Sequence, residues 1–274
     1  MYEEERGIVI LAVEETDIAP AVALCYSIKN NNPKEKVAII TNYKIAVECF
    51  DEVIEFPFAI DVKQTKYQLW QAYWATPFKY NLLIEAANLS NCQLEQTFYY
   101  LIDHYDLMIT EQVYDFRLDL KDTLTEIYEK NKISPLNSNF IFFTKETENA
   151  ICFFKMLDVY TKHFQIIYQQ FLRKEDYQDT LDIDLIVSMV ISHLDLNADV
   201  KPLHDLFKLV DMKYLPFNPN EEDWTKLINF WTNKNGTIKI QNFSFSGLMR
   251  YRNLDFINDD LLETLGNIYA ERTK

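Results

Sequence analysis

A chain of 274 residues with 48% hydrophobic and 25% charged side chains has an ordinary globular composition and is long enough to bury a substantial core. Its net charge of −15 repels phosphate backbones and anionic lipid, so nucleic acid is a disfavoured partner unless positive charge is concentrated locally. No apolar run approaches the roughly 20 residues that span a bilayer, and the acidic start is unlike a signal peptide, so we expect a cytoplasmic protein with no membrane span.

Short apolar runs alternate with helical patterns along the chain. In chain order, strands are predicted at residues 7–13, 37–41, 52–55, 80–84, 107–110, 139–143, 237–240 and 248–251, and helices at 16–30, 66–74, 90–104, 119–131, 146–171, 182–193 and 259–270. Continuous runs rich in β-branched residues are typical of parallel strands buried on both faces. The opening order of strand, helix and strand predicts a βαβ unit. We therefore expect one doubly wound α/β domain with a mixed sheet, spanning residues 1–274.

The glycine, cysteine and histidine patterns exclude several kinds of site. Only four glycines occur, so the chain has neither a P-loop nor a GxGxxG turn, and any nucleotide must bind without a glycine cradle. The four cysteines form no CxxC pair, and the four histidines show no HExxH or HxH spacing. This predicts free thiols in a reducing compartment, not a zinc site or a disulfide framework.

Several segments, in this order, carry a family resemblance. Residues 70–78 and 82–89 resemble a motif of the form SPF…LYLDADxL, and residues 135–143 resemble an NSG loop. Residues 180–185 resemble the start of a helix with the pattern TxDxxxxLA, and residues 247–252 resemble a late segment with the pattern G…HYH. With the opening βαβ unit, they make the chain similar to GT-A glycosyltransferases related to the glycogenin-like family, in particular its short phage-type members. The resemblance implies a GT-A (Rossmann-like) nucleotide-diphospho-sugar transferase fold, with a mixed central sheet flanked by helices. It also implies a nucleotide-binding half at 1–110, and an acceptor half with a C-terminal extension at 111–274.

The departures from the family pattern concern the metal. In the family, the DxD carboxylates and a late histidine hold Mn²⁺ or Mg²⁺ against the sugar diphosphate. Here Glu85 occupies the first DxD position, but Ala87 replaces the second carboxylate, and Arg250 and Arg252 lie where the histidine would be. A hard divalent cation needs several oxygen or imidazole ligands. We therefore predict a degenerate DxD motif with no tightly bound metal, Mn²⁺ or Mg²⁺ binding only weakly.

The resemblance and the chemistry of the residue types together suggest donor-binding residues. Arg250 and Arg252 lie two apart on a predicted strand and would neutralise the departing diphosphate; alternatively they are solvated surface arginines. Lys66 would reach a phosphate of the donor; alternatively it is an ordinary surface lysine. The loop after the first strand contains Glu14, Glu15 and Thr16. These residues would recognise hydroxyl groups of the nucleoside; alternatively the loop is solvated and binds no ligand.

Candidate catalytic residues are Glu85, at the carboxyl end of a buried strand, and Asp184, which matches a family carboxylate near the transferred sugar. Glu85 is alternatively a structural remnant that caps the next helix, and Asp182 is a natural helix N-cap. For the acceptor sugar the candidates are Asn137, Ser138 and Asn139, with turn formation as an equally simple explanation. An aromatic cluster is interpreted as core packing, with a sugar-stacking platform as the alternative; it comprises Trp70, Tyr73, Trp74, Phe78 and Tyr80.

Three functions remain open. The first is a metal-independent glycosyltransferase that uses a nucleotide sugar, a UDP-sugar above all, with an acceptor that the sequence does not identify. The second is a catalytically inactive glycosyltransferase-like protein with a binding or structural role. The third is a phage enzyme that glycosylates modified DNA bases, acting in the host cytoplasm; the net charge of −15 weighs against it unless a basic rim forms.

Overall fold

A computed structural model describes residues 5–121, 125–196, 208–212, 230–232, 237–240, 243–244, 246–251 and 256–273. Its strands are β1 (Arg6–Leu11), β2 (Val37–Ile40), β3 (Glu52–Ile54), β4 (Tyr80–Ile84), β5 (Asn88–Ser90), β6 (Leu107–Thr110), β7 (Val113–Tyr114), β8 (Leu120–Lys121), β9 (Asn137–Thr144), β10 (Lys208–Asp211), β11 (Phe230–Thr232), β12 (Ile238–Ile240), β13 (Phe243–Ser244) and β14 (Gly247–Arg250). Its α-helices are α1 (Ile18–Asn31), α2 (Thr65–Gln68), α3 (Gln71–Ala75), α4 (Glu95–His104), α5 (Glu126–Asn131), α6 (Glu148–Lys162), α7 (Phe164–Phe171), α8 (Ile183–His193) and α9 (Asp259–Arg272). None of the helices in these ranges is both long and apolar enough to cross a membrane.

The main sheet is mixed, with the strand order β3-β2-β1-β4-β9-β6. β1 is parallel to β2 and β4, whereas β9 runs antiparallel to β4 and β6. The carboxyl ends of β1, β2 and β4 therefore share one edge of the sheet, and β9 begins at that edge. Loops that follow parallel strands at such an edge form the usual ligand site of α/β proteins.

Helices cover both faces of this sheet. In β1, Ile8 and Ile10 pack into an apolar cluster with α1 and α4, and Val9 and Leu11 pack into a second cluster with α6 and α8. Burial on both faces explains why the strands are continuous apolar runs in the sequence. The predicted arrangement of a mixed central sheet flanked by helices is confirmed.

A second sheet, with the order β5-β14-β10-β7-β8, lies beside the first and positions Arg250. Arg250, the last residue of β14, pairs with Asn88 of antiparallel β5 and with Asp211 of parallel β10. β14 begins at Gly247, whose φ of +150° is rare for other residues, and a Cβ there would lie 1.8 Å from the Lys208 carbonyl oxygen. Glycine is therefore required for the close approach of β14 to β10.

The predicted strands at 80–84 and 107–110 are confirmed residue for residue as β4 and β6. Two predicted helices are interrupted: the segment at 66–74 forms α2 and α3, and the segment at 146–171 forms α6 and α7 with His163 between them. The local helical pattern of the sequence does not reveal where these helices break, because the positions of the breaks depend on tertiary packing.

Two predicted helices begin too early. The helix predicted at 90–104 begins at Glu95, because Asn88–Ser90 pairs with β14 as strand β5. The helix predicted at 119–131 covers only Glu126–Asn131, and Leu120–Lys121 forms β8 against β7. In both cases a pairing partner distant in sequence overrides the local helical pattern.

Candidate functional site

Two cavities meet at the edge of the main sheet where β1 and β4 end. The first, of about 270 Å³, has mostly apolar walls, with polar groups that include Asp17, Lys66, Glu85 and Arg250. The second, of about 450 Å³, is lined mainly by the segment before β9 and the start of α8. Lys66, Ile183 and Arg250 line both cavities and therefore form their common wall.

The guanidinium group of Arg250 lies among three carboxylates. Its Nη2 atom is 2.6 Å from Glu85 Oε2, and its Nη1 atom is 3.7 Å from Asp184 Oδ2 and 3.8 Å from Asp211 Oδ2. The Arg250 side chain is only 8% exposed and Asp211 is fully buried, whereas Glu85 is 37% exposed. Three carboxylates around one guanidinium make this cluster net negative.

Arg250 carries a permanent charge in this setting. Burial lowers the pKa of the guanidinium, but the charges of Glu85, Asp184 and Asp211 raise it by more, so the net pKa lies above its ordinary value. Within the described residues, Nη1 has no hydrogen-bond partner. Leaving a buried donor without an acceptor costs about 1–3 kcal/mol.

Glu85 comes directly after β4 and rests on a buried pair of amides. Asn88 Nδ2 donates to the Glu85 carbonyl (2.7 Å) and to Asn139 Oδ1 (2.6 Å), and Asn139 Nδ2 donates back to Asn88 Oδ1 (2.9 Å). Both asparagines are fully buried. The backbone beneath the Glu85 carboxylate is therefore held rigidly, and Glu85 caps no helix.

Asp184 lies in the first turn of α8. Asp182 is the N-cap, as predicted: its Oδ1 accepts hydrogen bonds from Asp184 N (3.0 Å) and Leu185 N (3.2 Å). Asp184 Oδ1 accepts from the backbone N (2.8 Å) and the Oγ (2.5 Å) of Ser138, which leaves Oδ2 directed at Arg250. Ser138, at the start of β9, thereby links the main sheet to α8 and orients this carboxylate.

Two further polar residues line the first cavity. Lys66 is half-buried and donates from Nζ to the Leu181 carbonyl (3.0 Å). Asp17 Oδ2 accepts from the backbone N of Val13 (3.0 Å) and Glu14 (2.9 Å) and from Thr65 Oγ1 (2.7 Å). Asp17 is not among the residues that the sequence singles out; its position shortly after a buried strand is the signal that could have placed it here.

The structure brings together Glu85, Lys66, Ser138, Asp184 and Arg250, five of the predicted site residues. Arg250 is 7% exposed, so the alternative of a solvated surface arginine is wrong for this residue. Arg252 lies outside the described residues. Asp211 was missed, because the short strand that carries it was not predicted.

Other predicted site residues lie apart from this cluster. Glu14, Glu15 and Thr16 line neither cavity, and Glu15 and Thr16 are exposed. The reason is that the Asp17 carboxylate accepts a hydrogen bond from the backbone N of Val13, which turns this loop outward.

The three predicted acceptor residues, which begin β9, separate in the structure. Asn137 lines the second cavity, and Ser138 is bound to Asp184. Asn139 is fully buried and hydrogen-bonded to Asn88, so the prediction that Asn139 contacts a sugar is wrong.

The residues of the cluster do not fit a divalent cation. In the described part of the chain, no three histidine, cysteine or carboxylate side chains are grouped as a metal site. The nearest approach to one is the set of Glu85, Asp184 and Asp211, and the guanidinium of Arg250 already lies between them. The guanidinium thus occupies the space between the carboxylates in which a metal ion would have to bind.

No protein family model matches this chain, and no curated protein matches it. Among solved structures, the galactosyltransferase LgtC, in complex with donor and acceptor sugar analogs, aligns with a TM-score of 0.52 and 11% identity over 97% of this chain and 95% of its own. An active-site mutant of LgtC gives a TM-score of 0.51 and 12% identity over the same shares. The glycosyltransferase GlyE of Streptococcus pneumoniae TIGR4 gives only 0.47, with 11% identity over 73% of this chain and 45% of that one. The likeness to LgtC shows that the chain has the GT-A fold, as the sequence predicted.

Proposed function

We propose that this chain is a glycosyltransferase that takes its sugar from a nucleotide-sugar donor, a UDP-sugar above all, without a tightly bound metal. The observation that carries the proposal is the position of Arg250. Its guanidinium is buried at the wall common to two cavities, in contact with Glu85, and its Nη1 has no hydrogen-bond partner among the described residues. This cluster lies at the sheet edge where α/β proteins bind ligands, in a GT-A fold.

The guanidinium supplies what the leaving group needs. When the bond between the sugar and the diphosphate breaks, negative charge accumulates on the diphosphate. A fixed cation stabilises this charge, and an arginine adds directional hydrogen bonds to phosphate oxygens. Nη1 of Arg250 is the donor for that contact, and Lys66, on the same wall, contributes a second positive charge.

The carboxylates orient the sugar and limit the affinity. Glu85 and Asp184 are partly exposed, so their oxygens are available to accept hydrogen bonds from sugar hydroxyl groups. The same charges oppose a diphosphate, so we expect donor affinity in the weaker part of the usual range of about 1 μM to 1 mM. In this proposal the second cavity, which Asn137 lines, receives the acceptor.

Calorimetric titration of the full chain tests the proposal. UDP, UDP-glucose and UDP-galactose are each titrated in EDTA and then in Mn²⁺. We expect at least one of them to bind in EDTA, with an affinity that Mn²⁺ changes less than threefold. Absence of binding by all three under both conditions contradicts the proposal, and binding that requires Mn²⁺ contradicts its metal-independent form.

A second candidate is a glycosyltransferase-like protein that binds a ligand and transfers nothing. It is favoured by the ion pairing of Arg250, because a guanidinium engaged by three carboxylates also describes a site closed by internal contacts. Measuring UDP released from UDP-sugars, with and without a panel of saccharide acceptors, separates the two. Release that Glu85→Gln abolishes supports transfer; binding without any release supports the second candidate.

A further inference from the structure

A third cavity, an open groove of about 960 Å³, shares no lining residue with the two cavities around Arg250. It lies between the loop at 57–64, the helices α2 and α3, and the outer face of α6. Its volume is at the upper end of the range for ligand sites. The groove is therefore large enough for a ligand of its own.

Exposed apolar side chains are concentrated in this groove. Phe58 is 48% exposed, Val62 40% and Trp74 39%. The Phe58 ring stacks on Trp70, with centroids 5.2 Å apart, and meets Trp74 edge-on at 6.4 Å. Of the predicted aromatic cluster, Trp70 is buried as expected, whereas Trp74 faces the solvent with Phe58. Grouped exposed apolar side chains of this kind mark binding surfaces.

The loop that carries Phe58 and Val62 is fixed by two buried glutamines. Gln71 Oε1 accepts from Phe58 N (3.1 Å), Gln68 Nε2 donates to the Val62 carbonyl (2.9 Å), and Gln71 Nε2 donates to Gln68 Oε1 (2.6 Å). Gln71 is fully buried, and Gln68 is 5% exposed. Buried amides that hold exposed aromatic rings in place make a preorganised surface, which lowers the entropy cost of binding.

The charges that line the groove balance. Two aspartates and two lysines line it, and Lys162 pairs with Asp158 (2.7 Å) while its Nζ lies 4.7 Å from the centre of the Trp70 ring. Asp61 and Lys155 are exposed. In a chain of net charge −15, this balanced surface favours neither a phosphate nor a cation. It suits a neutral ligand rich in hydroxyl groups.

We propose that this groove binds a neutral oligosaccharide. Two pyranose rings pack their C–H faces on Phe58 and Trp74, and their hydroxyl groups bond to Asp61 and Lys155 at the rim. Aromatic walls with a few interspersed polar groups have the composition of such a site. The inference goes beyond the transfer reaction: the groove is a second saccharide site, and binding there needs no nucleotide.

Calorimetry and tryptophan fluorescence with three neutral probes, maltohexaose, cellohexaose and laminarihexaose, test the proposal on the full chain. We expect at least one to bind and to quench the fluorescence. Phe58→Ala and Trp74→Ala should each weaken that binding about tenfold, the worth of one lost aromatic contact. Tyr43→Ala is the matched control, because Tyr43 is 37% exposed and does not line the groove. Circular dichroism establishes that each variant is folded.

Three results would overturn the proposal: no binding by any probe, equal binding by wild type and both groove variants, or a self-associated wild type that Trp74→Ala converts to monomer. The last result would assign the patch to contact with a second copy of the chain. UDP binding is measured on the same variants and should be unchanged. A failure of saccharide binding with intact UDP binding is therefore distinct from a failure of the proposed transfer function.

Discussion

Two buried arginines show how the same side chain serves two purposes. Arg6, at the start of β1, forms an ion pair with Glu35, through Nε to Oε2 (3.1 Å) and Nη2 to Oε1 (2.5 Å). Its guanidinium also lies on the rings of Phe98 (5.2 Å) and Tyr99 (4.8 Å). Arg250 instead contacts several carboxylates and borders two cavities.

The difference lies in charge balance. Arg6 and Glu35 cancel each other, and their side chains are 4% and 6% exposed, so the pair is a charge-balanced structural unit. Burial does not distinguish the two sites, since Arg6 Nη1 also lacks a hydrogen-bond partner within the described residues and Arg6 and Glu35 line a cavity of about 250 Å³. The carboxylates around Arg250 outnumber its charge, and two of them are partly open to solvent. Such imbalance costs stability and is found where a site must interact with a ligand. The predictions below test this contrast.

The largest effect is expected on folding. Glu35→Ala leaves the charge of Arg6 buried without its partner, so the free energy of unfolding should fall by about 3–5 kcal/mol. Urea denaturation followed by circular dichroism measures this. Surface Glu263→Ala is the control and should cost less than about 0.5 kcal/mol. A loss below about 1 kcal/mol for Glu35→Ala would show that this buried ion pair does not stabilise the fold as described.

The next prediction concerns Arg250. Arg250→Ala leaves three carboxylates facing one space, so the variant should bind a divalent cation more tightly than the wild type. Excess Mn²⁺ should then raise the Tm of this variant by roughly 2–4 °C, because binding to the folded state alone would stabilise it by about 1 kcal/mol.

The matched control for that prediction is Arg6→Ala, which frees only one carboxylate and should gain no such shift. Equal Mn²⁺ responses in wild type and Arg250→Ala would show that the three carboxylates do not converge.

A smaller effect is expected at Ser138. Ser138→Ala removes one hydrogen bond to Asp184 but keeps the backbone donor, so the loss of stability should be about 1 kcal/mol, with a few-fold weaker UDP binding. Ser134→Ala, four residues earlier, should change neither. Unaltered UDP affinity in Ser138→Ala would mean that the orientation of Asp184 does not matter to the donor.

The smallest effect is expected from pH. The carboxylates raise the pKa of Arg250 in the folded state, so its contribution to stability is present below the ordinary arginine pKa and is lost only as pH rises through the higher folded value. Affinity for UDP should therefore be constant from about pH 7.5 to 8.5, as calorimetry can check. A progressive loss across that range would indicate that a group other than Arg250 carries the charge.

The main sheet could be predicted from the sequence because its strands are buried on both faces. In β4 and β6 the apolar run and the strand coincide, so no knowledge of the partner strands is needed. β5 and β10 were missed because they are short and begin or end with polar residues. Their pairing with β14, distant in sequence, makes them strands.

The candidate site was predictable only in part, for the same reason. Glu85, Asp184 and Arg250 were identified because they lie at positions that resemble family motifs, and Glu85 also because it follows a readable strand. Asp211 ends a strand that only its pairing defines. The outward turn of Glu15 and the burial of Asn139 depend on particular side-chain hydrogen bonds, which no spacing in the sequence reveals.

The central claim is that the Arg250 guanidinium binds the diphosphate of a nucleotide sugar. UDP titration in EDTA into wild type and Arg250→Gln tests it most directly, with Arg173→Gln, an exposed arginine, as the matched control. The claim predicts that Arg250→Gln weakens UDP binding at least about tenfold, or 1.4 kcal/mol, and that Arg173→Gln leaves it unchanged. Equal affinity for UDP in wild type and Arg250→Gln would contradict it.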